Sequence, residues 1–271
     1  MATHVIYKLG PFAVPGFAGE RYVRVYLPTE RPEALLPVLY AFDGQNIFHD
    51  DPSFCGGWYL HHAVSDLSRA GKTAPVIVGI DHGGPQRLDE LSPFACEHSR
   101  GQIDHLLAWM RRELMPRIGR EFQVRRDAAG TAIGGSSMGG LAALYAHFRR
   151  PDLYGAALCM SPSLWFADGQ IFDYIAARPR PASSRIYIDA GAREGHSGQM
   201  LGDAERLVLH LRARGYDDTD LGWCPDPHGR HCEPDWRKRA PSALEFLFSG
   251  ERGADSDQSR EDEDLPADRA A

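Results

Sequence analysis

Ser137 stands between two glycines in Gly135-Ser136-Ser137-Met138-Gly139. This spacing suits a serine to nucleophilic chemistry. Thr131-Ala132-Ile133, just before it, reads as a short buried strand, and Ala142 to Phe148, just after it, reads as a helix. A strand that turns sharply into a helix strains its middle residue and pushes that side chain outward, and the flanking positions must lack bulk. The backbone N–H that follows, that of Met138, then lies at a helix N-terminus, where it can stabilise an oxyanion. A plain tight turn or a phosphate cradle uses similar residues. No Lys follows these glycines as a P-loop requires, and the Rossmann glycine spacing is absent.

A serine hydroxyl needs a base, and the base needs an orienting acid. Behind an elbow of this kind the partners follow in the order Ser, Asp/Glu, His, each on a loop at the C-terminal end of a strand. Two loops qualify. Ala190 to His196 offers Glu194, with Asp189 as its rival; Pro225 to Cys232 offers His228 and His231. Asp189 falls inside a strand pattern, so its direction depends on the pleat, whereas Glu194 lies out on the loop. His231 immediately precedes the closing helix, which can pin it. Two other readings stand beside these. Glu194 could cap the following helix, and Cys224, His228, His231 and Cys232 could mimic zinc ligands, although the cysteines lack the usual pair spacing.

The elements that must position these groups are legible around them. Val5 to Leu9 and Arg21 to Leu27 read as strands in an antiparallel start, with the turn-rich Gly10-Pro11 and Pro15-Gly16 between them. Pro37 to Phe42 and Pro75 to Ile80 are nearly continuous apolar runs, as expected of strands buried on both faces. Ala156 to Met160, Arg185 to Asp189 and Asp220 to Cys224 complete the strands. Helices are predicted from Trp58 to Ala70, Ile103 to Ile118, Ile171 to Ala177, Asp203 to Arg214 and Asp235 to Phe248. Strands alternating with helices predict an α/β fold, a mostly parallel central sheet with helices on both faces. Arg87, Asp89 and Glu90 read as an ion-pair cluster, with a substrate contact as the alternative.

The chain has 271 residues, 43% hydrophobic and 25% charged, ordinary values for a soluble globular protein. A single domain over 1–249 is expected, followed by an acidic, disordered tail over 250–271. From Glu251 onward eight acidic and three basic side chains give −5, which leaves −2 of the net −7 for the rest. The near-neutral body carries no basic stripe, so no nucleic-acid partner is expected. No apolar run is long enough to span a membrane, and no export signal opens the chain. With five scattered cysteines and no CxxC, reduced thiols and a cytoplasmic location are expected.

Six motifs recur in order: Tyr40-x-x-Asp43-Gly44-Gln45-Asn46-Ile47-Phe48, Gly79-Ile80-Asp81, Arg87-x-Asp89-Glu90, Gly135-Ser136-Ser137-Met138-Gly139-Gly140, Ser161-Pro162-Ser163-Leu164-Trp165 and His231-x-x-x-x-Trp236. With them the chain, from Leu36 to Phe248, resembles the Putative esterase family of α/β-hydrolases, and within it the enterochelin (siderophore) esterase-like branch. The resemblance implies an α/β-hydrolase fold, Ser137 as nucleophile and His231 as base. It puts the acid at Glu194, where many relatives carry Asp. It implies oxyanion donors at the backbone N–H groups of Met138 and Gln45, and Trp165 and Trp58 as pocket residues or as core. The expected activity is that of a serine carboxylesterase working through an acyl-enzyme on a small ester, without metal or organic cofactor. An acyltransferase and a noncatalytic binding module on a hydrolase scaffold are the alternatives. A siderophore substrate would call for cations at the cleft, with Arg87, Arg193 and Arg230 as candidates.

Overall fold

The computed structural model describes residues 5–29, 32–53, 55–196 and 198–248. The acidic tail therefore lies outside the described residues. The chain opens with β1 (Ile6–Ala13) and β2 (Glu20–Tyr26), then β3 (Val38–Phe42), α1 (Leu60–Arg69), β4 (Val76–Ile80) and α2 (Arg87–Leu91). It continues through α3 (Ile103–Trp109), α4 (Met115–Glu121), β5 (Thr131–Ser136), α5 (Met138–Arg149), β6 (Ala156–Met160) and α6 (Phe166–Ala176). It closes with β7 (Arg185–Gly191), α7 (Gln199–Arg212), β8 (Leu221–Asp226) and α8 (Glu233–Phe248).

The eight strands form one sheet in the order β1-β2-β4-β3-β5-β6-β7-β8. β1 and β2 run antiparallel to their neighbours; β4, β3, β5, β6, β7 and β8 are mutually parallel. The apolar runs alternate between two cores with the period of the pleat. Val38, Tyr40, Phe42, Val76, Val78 and Ile80 face one core, where α3, α4, α5 and α7 pack. Leu39, Ala41 and Ile77 face the other, where α1 and α8 pack through Leu60, Val64, Trp236 and Leu244. Burial on both faces is why these strands carry almost no polar residue.

The predicted strands and helices are recovered, with α2 added, α6 starting five residues early at Phe166, and three further local differences. Gly10-Pro11 does not end β1. Gly10 adopts φ 116° and the register shifts between Leu9 and Phe12, so the pair forms a bulge inside the strand. β1 is the sheet edge, where a missing N–H is tolerated. The predicted helix from Ile103 is one amphipathic face across α3, a wider π turn at Met110–Leu114, and α4. The third helix of the C-terminal half starts at Gln199, four residues before the expected Asp203, so that Met200 is buried beside the site loops.

The chain steps from β3 to β4 on one side, and β5 lies on the other side of β3. Where a parallel sheet reverses its build direction, a crevice opens outside the C-terminal ends of the strands. The loops after β3, β5, β6, β7 and β8 gather at that end.

Candidate active site

β5 ends at Ser136 and α5 starts at Met138, so Ser137 alone makes the turn. Its backbone sits at φ 57°, ψ −122°, which a non-glycine residue adopts only under constraint. The constraint is visible on both sides. Ser137 N–H donates to Met160 O at 2.9 Å, and Ser137 O accepts from Leu141 N–H at 3.1 Å and Ser163 N–H at 3.1 Å. Gly135 is a steric necessity, because a Cβ there would lie 2.7 Å from the Gly139 carbonyl carbon, whereas a Cβ on Gly139 would only crowd Asp43 Oδ2 at 3.3 Å and Phe42 Cβ at 3.4 Å.

Ser137 Oγ lies 3.2 Å from Ser163 Oγ, and both serines line a cleft of about 520 Å³ with Trp165, Gly195, His196, Gln199, Met200 and His231. Met138 N–H opens α5, in the first turn, where N–H groups have no intrahelical acceptor. The second expected donor, Gln45, belongs to the short 3₁₀ turn Gly44–Asn46 directly after β3. That turn is set by Asp43 in the left-handed region (φ 56°, ψ 47°), whose carbonyl accepts from Asn46 N–H at 2.8 Å.

His231 approaches from the loop before α8. Its Nδ1 lies 3.1 Å from Glu194 Oε2, and its ring stands edge-on to Trp236 with centroids 4.9 Å apart. Glu194 is fully buried while His231 keeps its side chain 32% exposed, so the pair joins the core to the cleft. Burial alone would push the Glu194 carboxyl up. Hydrogen bonds from His231 and Ser161, with the charges of His231 and Arg239, overcome it and hold that carboxyl below its ordinary value.

The rival acid, Asp189, points elsewhere. It is buried on β7 and takes Arg239 Nε at 2.8 Å and the Ser161 N–H at 2.8 Å. Burial pushes its carboxyl up to about 6 against the pull of Arg239. His228 is exposed, with its Nδ1 3.5 Å from Arg193 Nη2. Among the described residues no group of three or more His, Cys, Asp or Glu is arranged to hold a metal ion.

Two expected substrate contacts land differently. Trp165 is half-exposed on the cleft wall (51%). Trp58 is only 2% exposed and packs against Trp236 with ring centroids 5.9 Å apart, so it belongs to the core and not to the cleft. Arg87 donates from Nε and Nη2 to both oxygens of Asp43 at 2.7 and 2.8 Å, fastening the turn that carries Gln45. Asp89 and Glu90 also form ion pairs, with Arg100 and Arg21, so the three form no cluster of their own. Among the described cleft-lining residues none is Arg or Lys; Arg230 pairs with Asp235.

Ser163, Ser161 and Arg239 were not singled out as site residues from the sequence. The two serines lie in a motif quoted above. Arg239 carried one readable signal, a charge three residues after Trp236 on the apolar face that continues through Ala240, Ala243, Leu244 and Leu247.

Residues 15–247 match the family described as Putative esterase. The chain is 22% identical over 249 residues to an uncharacterised protein of Bacillus subtilis (strain 168), YbbA, covering 87% of this chain and 95% of that one. Among solved structures, the BES protein from Bacillus cereus superposes with a TM-score of 0.74 at 18% identity, covering 91% of this chain and 95% of that one. The enterobactin esterase FES from Shigella flexneri superposes with a TM-score of 0.70 at 20% identity, covering 91% of this chain but 59% of its own length. No described helix is long and apolar enough to cross a membrane.

Proposed function

The chain belongs to the Putative esterase family and is an ester hydrolase, and on that premise we propose that it hydrolyses small-molecule esters through an acyl-enzyme on Ser137, with His231 as base and Glu194 as orienting acid. The observation that carries the reading is the convergence of a strained, cleft-facing Ser137 with a histidine whose Nδ1 is held by a buried carboxylate. An ionised Glu194 can only accept, so His231 carries its hydrogen on Nδ1 and offers Nε2 to the serine proton.

In the resting state Ser137 Oγ is held by Ser163. As an ester enters, the hydroxyl turns to His231 Nε2 and attacks the carbonyl carbon, and the proton passes to His231. The carbonyl oxygen becomes an oxyanion between the N–H groups of Met138 and Gln45. The tetrahedral adduct expels the alcohol, which takes the proton from His231. Water, deprotonated by His231, then attacks the acyl-enzyme, releases the acid and restores Ser137.

The cleft supports a small ester whose apolar or aromatic part rests on Trp165 and Met200. An ester like the enterobactin in the name of the Shigella flexneri relative would meet none of the cations expected for a siderophore substrate among the described lining residues. The lack of Arg and Lys among the described lining residues favours a substrate portion without strong negative charge at the cleft floor.

The test is hydrolysis of p-nitrophenyl acetate and butyrate by the wild type and Ser137→Ala, with phosphonate labelling and peptide mapping. Activity lost in the variant, with label on Ser137, supports the mechanism. A folded wild type with neither turnover nor label would overturn it in favour of a binding module.

A further inference from the structure

Behind the His231–Glu194 pair lies a buried hydrogen-bonded group that the mechanism above does not use. Ser161 follows β6 in the left-handed region (φ 42°) and is fully buried. Its Oγ accepts from Trp236 Nε1 at 2.8 Å and from Arg239 Nη2 at 3.0 Å. A hydroxyl has two lone pairs and one hydrogen. With both lone pairs occupied, the Ser161 hydrogen must be given away. Glu194 Oε1 lies at 2.8 Å, nearer than Asp189 Oδ1 at 3.4 Å, and takes it.

Glu194 Oε1 also accepts from Gly191 N–H at 2.9 Å and from Arg239 Nη2 at 3.3 Å. Three donors therefore converge on one oxygen. The other, Oε2, is left to His231 Nδ1. We propose that Arg239, acting through Ser161, is a positioning residue for the reaction: it saturates one oxygen of Glu194 so that the other faces His231 as an ionised acceptor. The inference rests on the triad reading above.

Charge balance gives the arrangement a catalytic sense. Glu194 and Asp189 are both fully buried, and Arg239, 5% exposed, is the cation between them. With Asp226, which also pairs with Arg239, three carboxylates share this one cation at rest. The imidazolium that forms on His231 in the transition state adds a positive charge beside Glu194. The other charged or titratable groups facing Glu194 and Arg239 are Asp226, 3.2 Å from Arg239 Nη1 on β8, and, beyond Asp189, the buried Cys159 thiol on β6 and Tyr187 on β7. Without Arg239, Glu194 would hold its proton more tightly, and a protonated acid no longer dictates which nitrogen of His231 carries the hydrogen.

An arginine bridging β7, β8 and α8 could instead serve the fold alone, and the experiment separates the two roles. Arg239→Met, Arg239→Lys and Ser161→Ala are compared on p-nitrophenyl butyrate, each alone and combined with Glu194→Gln. Rates are normalised to folded protein by circular dichroism and by phosphonate titration of Ser137. Positioning predicts that Arg239→Met and Ser161→Ala each lower kcat about tenfold or more while KM stays within about threefold. In Arg239→Met the acid limb of kcat/KM moves to higher pH, because removing a cation makes the Glu194–His231 pair hold its proton more tightly. Arg239→Lys moves the limb part of the way back. In the Glu194→Gln background the same changes cost less than about threefold, as expected of residues that act through Glu194.

A folded Arg239→Met or Ser161→Ala with kcat within about threefold of wild type and an unmoved acid limb would overturn the proposal, as would losses of equal size in the Glu194→Gln background. Should Arg239→Met not fold, Ser161→Ala carries the test, since it leaves every charge in place. Equal turnover by wild type and Ser137→Ala is a different failure. It would sink the triad reading itself.

Discussion

Gly191 is the last residue of β7, and its α-hydrogens face the loop that carries His231. A Cβ there would lie 2.2 Å from Gly229 O and 2.4 Å from Gly229 C, both backbone atoms, and 2.8 Å from Glu194 Oε1. Oxygen–carbon contacts of this kind are comfortable near ~3.3 Å, so Gly191→Ala forces the two loops apart by roughly 1 Å. The displaced atoms bear directly on the site. Gly229 O accepts from Arg193 N–H at 3.0 Å, next to Glu194, and Gly191 N–H itself holds Glu194 Oε1. Both Glu194 and the loop of His231 are moved, in opposite directions. A 1 Å misplacement costs about 100-fold in rate, or about 2.7 kcal/mol in the barrier. Overpacking should also cost about 1–3 kcal/mol of stability. The assay is steady-state hydrolysis of p-nitrophenyl butyrate with the rate of phosphonate labelling, checked by urea unfolding. The expected outcome is kcat down about 100-fold with KM nearly unchanged. Gly202→Ala, where a Cβ meets nothing within 4 Å on α7, is the control and should leave activity unchanged. A folded Gly191→Ala enzyme with kcat within about threefold of wild type would refute the argument, because the loops would then not need their present spacing.

Two further expectations concern specificity and pH. Trp165→Ala should raise KM for p-nitrophenyl butyrate about 2- to 10-fold with little change in kcat, the loss of one aromatic contact on the cleft wall; an unchanged KM would remove Trp165 from the substrate. Asp189 sits near 6 in the folded protein against about 3.9 in an unfolded chain, so its contribution is fully present below about pH 4 and is lost as pH rises through 6. The gap corresponds to about 3 kcal/mol. Relative to Asp189→Asn, the wild type should therefore lose stability of that order between pH 4 and 7 in urea unfolding, and parallel pH profiles would contradict the shift.

The elbow was legible in the sequence because a glycine-flanked serine fell between a β-branched run and a helix, and the structure puts Ser137 alone between β5 and α5. The alternation of strands and helices gave the sheet for the same reason: burial on both faces leaves apolar runs that few other arrangements produce. Its position out on the loop and the family motif place Glu194 ahead of Asp189, but the sequence does not disclose which way each side chain points. The structure turns one toward His231 and the other toward Arg239. Arg87, Asp89 and Glu90 read as a local cluster. Their partners are Asp43, Arg100 and Arg21, and strand register, which spacing along the chain does not disclose, decides two of the three pairings. Trp58 was equally compatible with pocket and core. Only the packing of α1 against α8 decides that it meets Trp236.

Three non-glycine residues in the left-handed half of backbone space, Asp43, Ser137 and Ser161, each directly follow the C-terminal end of a parallel strand: β3, β5 and β6. Such positions cost on the order of 1–3 kcal/mol each. Glycine would relieve the strain at all three, and at each it would remove the side chain that matters. Asp43 would lose its grip on Arg87, Ser137 its hydroxyl, and Ser161 the oxygen on which Trp236 and Arg239 converge. The strain is held in place because the strands leading into the three turns are locked on both faces by apolar packing, with Val38 through Phe42 and Ala156 through Met160 all buried. A loop free to relax would turn these residues into ordinary conformations and disperse their side chains. The apolar runs thus do more than fill the core. They fix the exit direction of each strand, and with those directions set, Ser137 and His231 meet at one cleft with the Glu194 carboxylate buried behind His231.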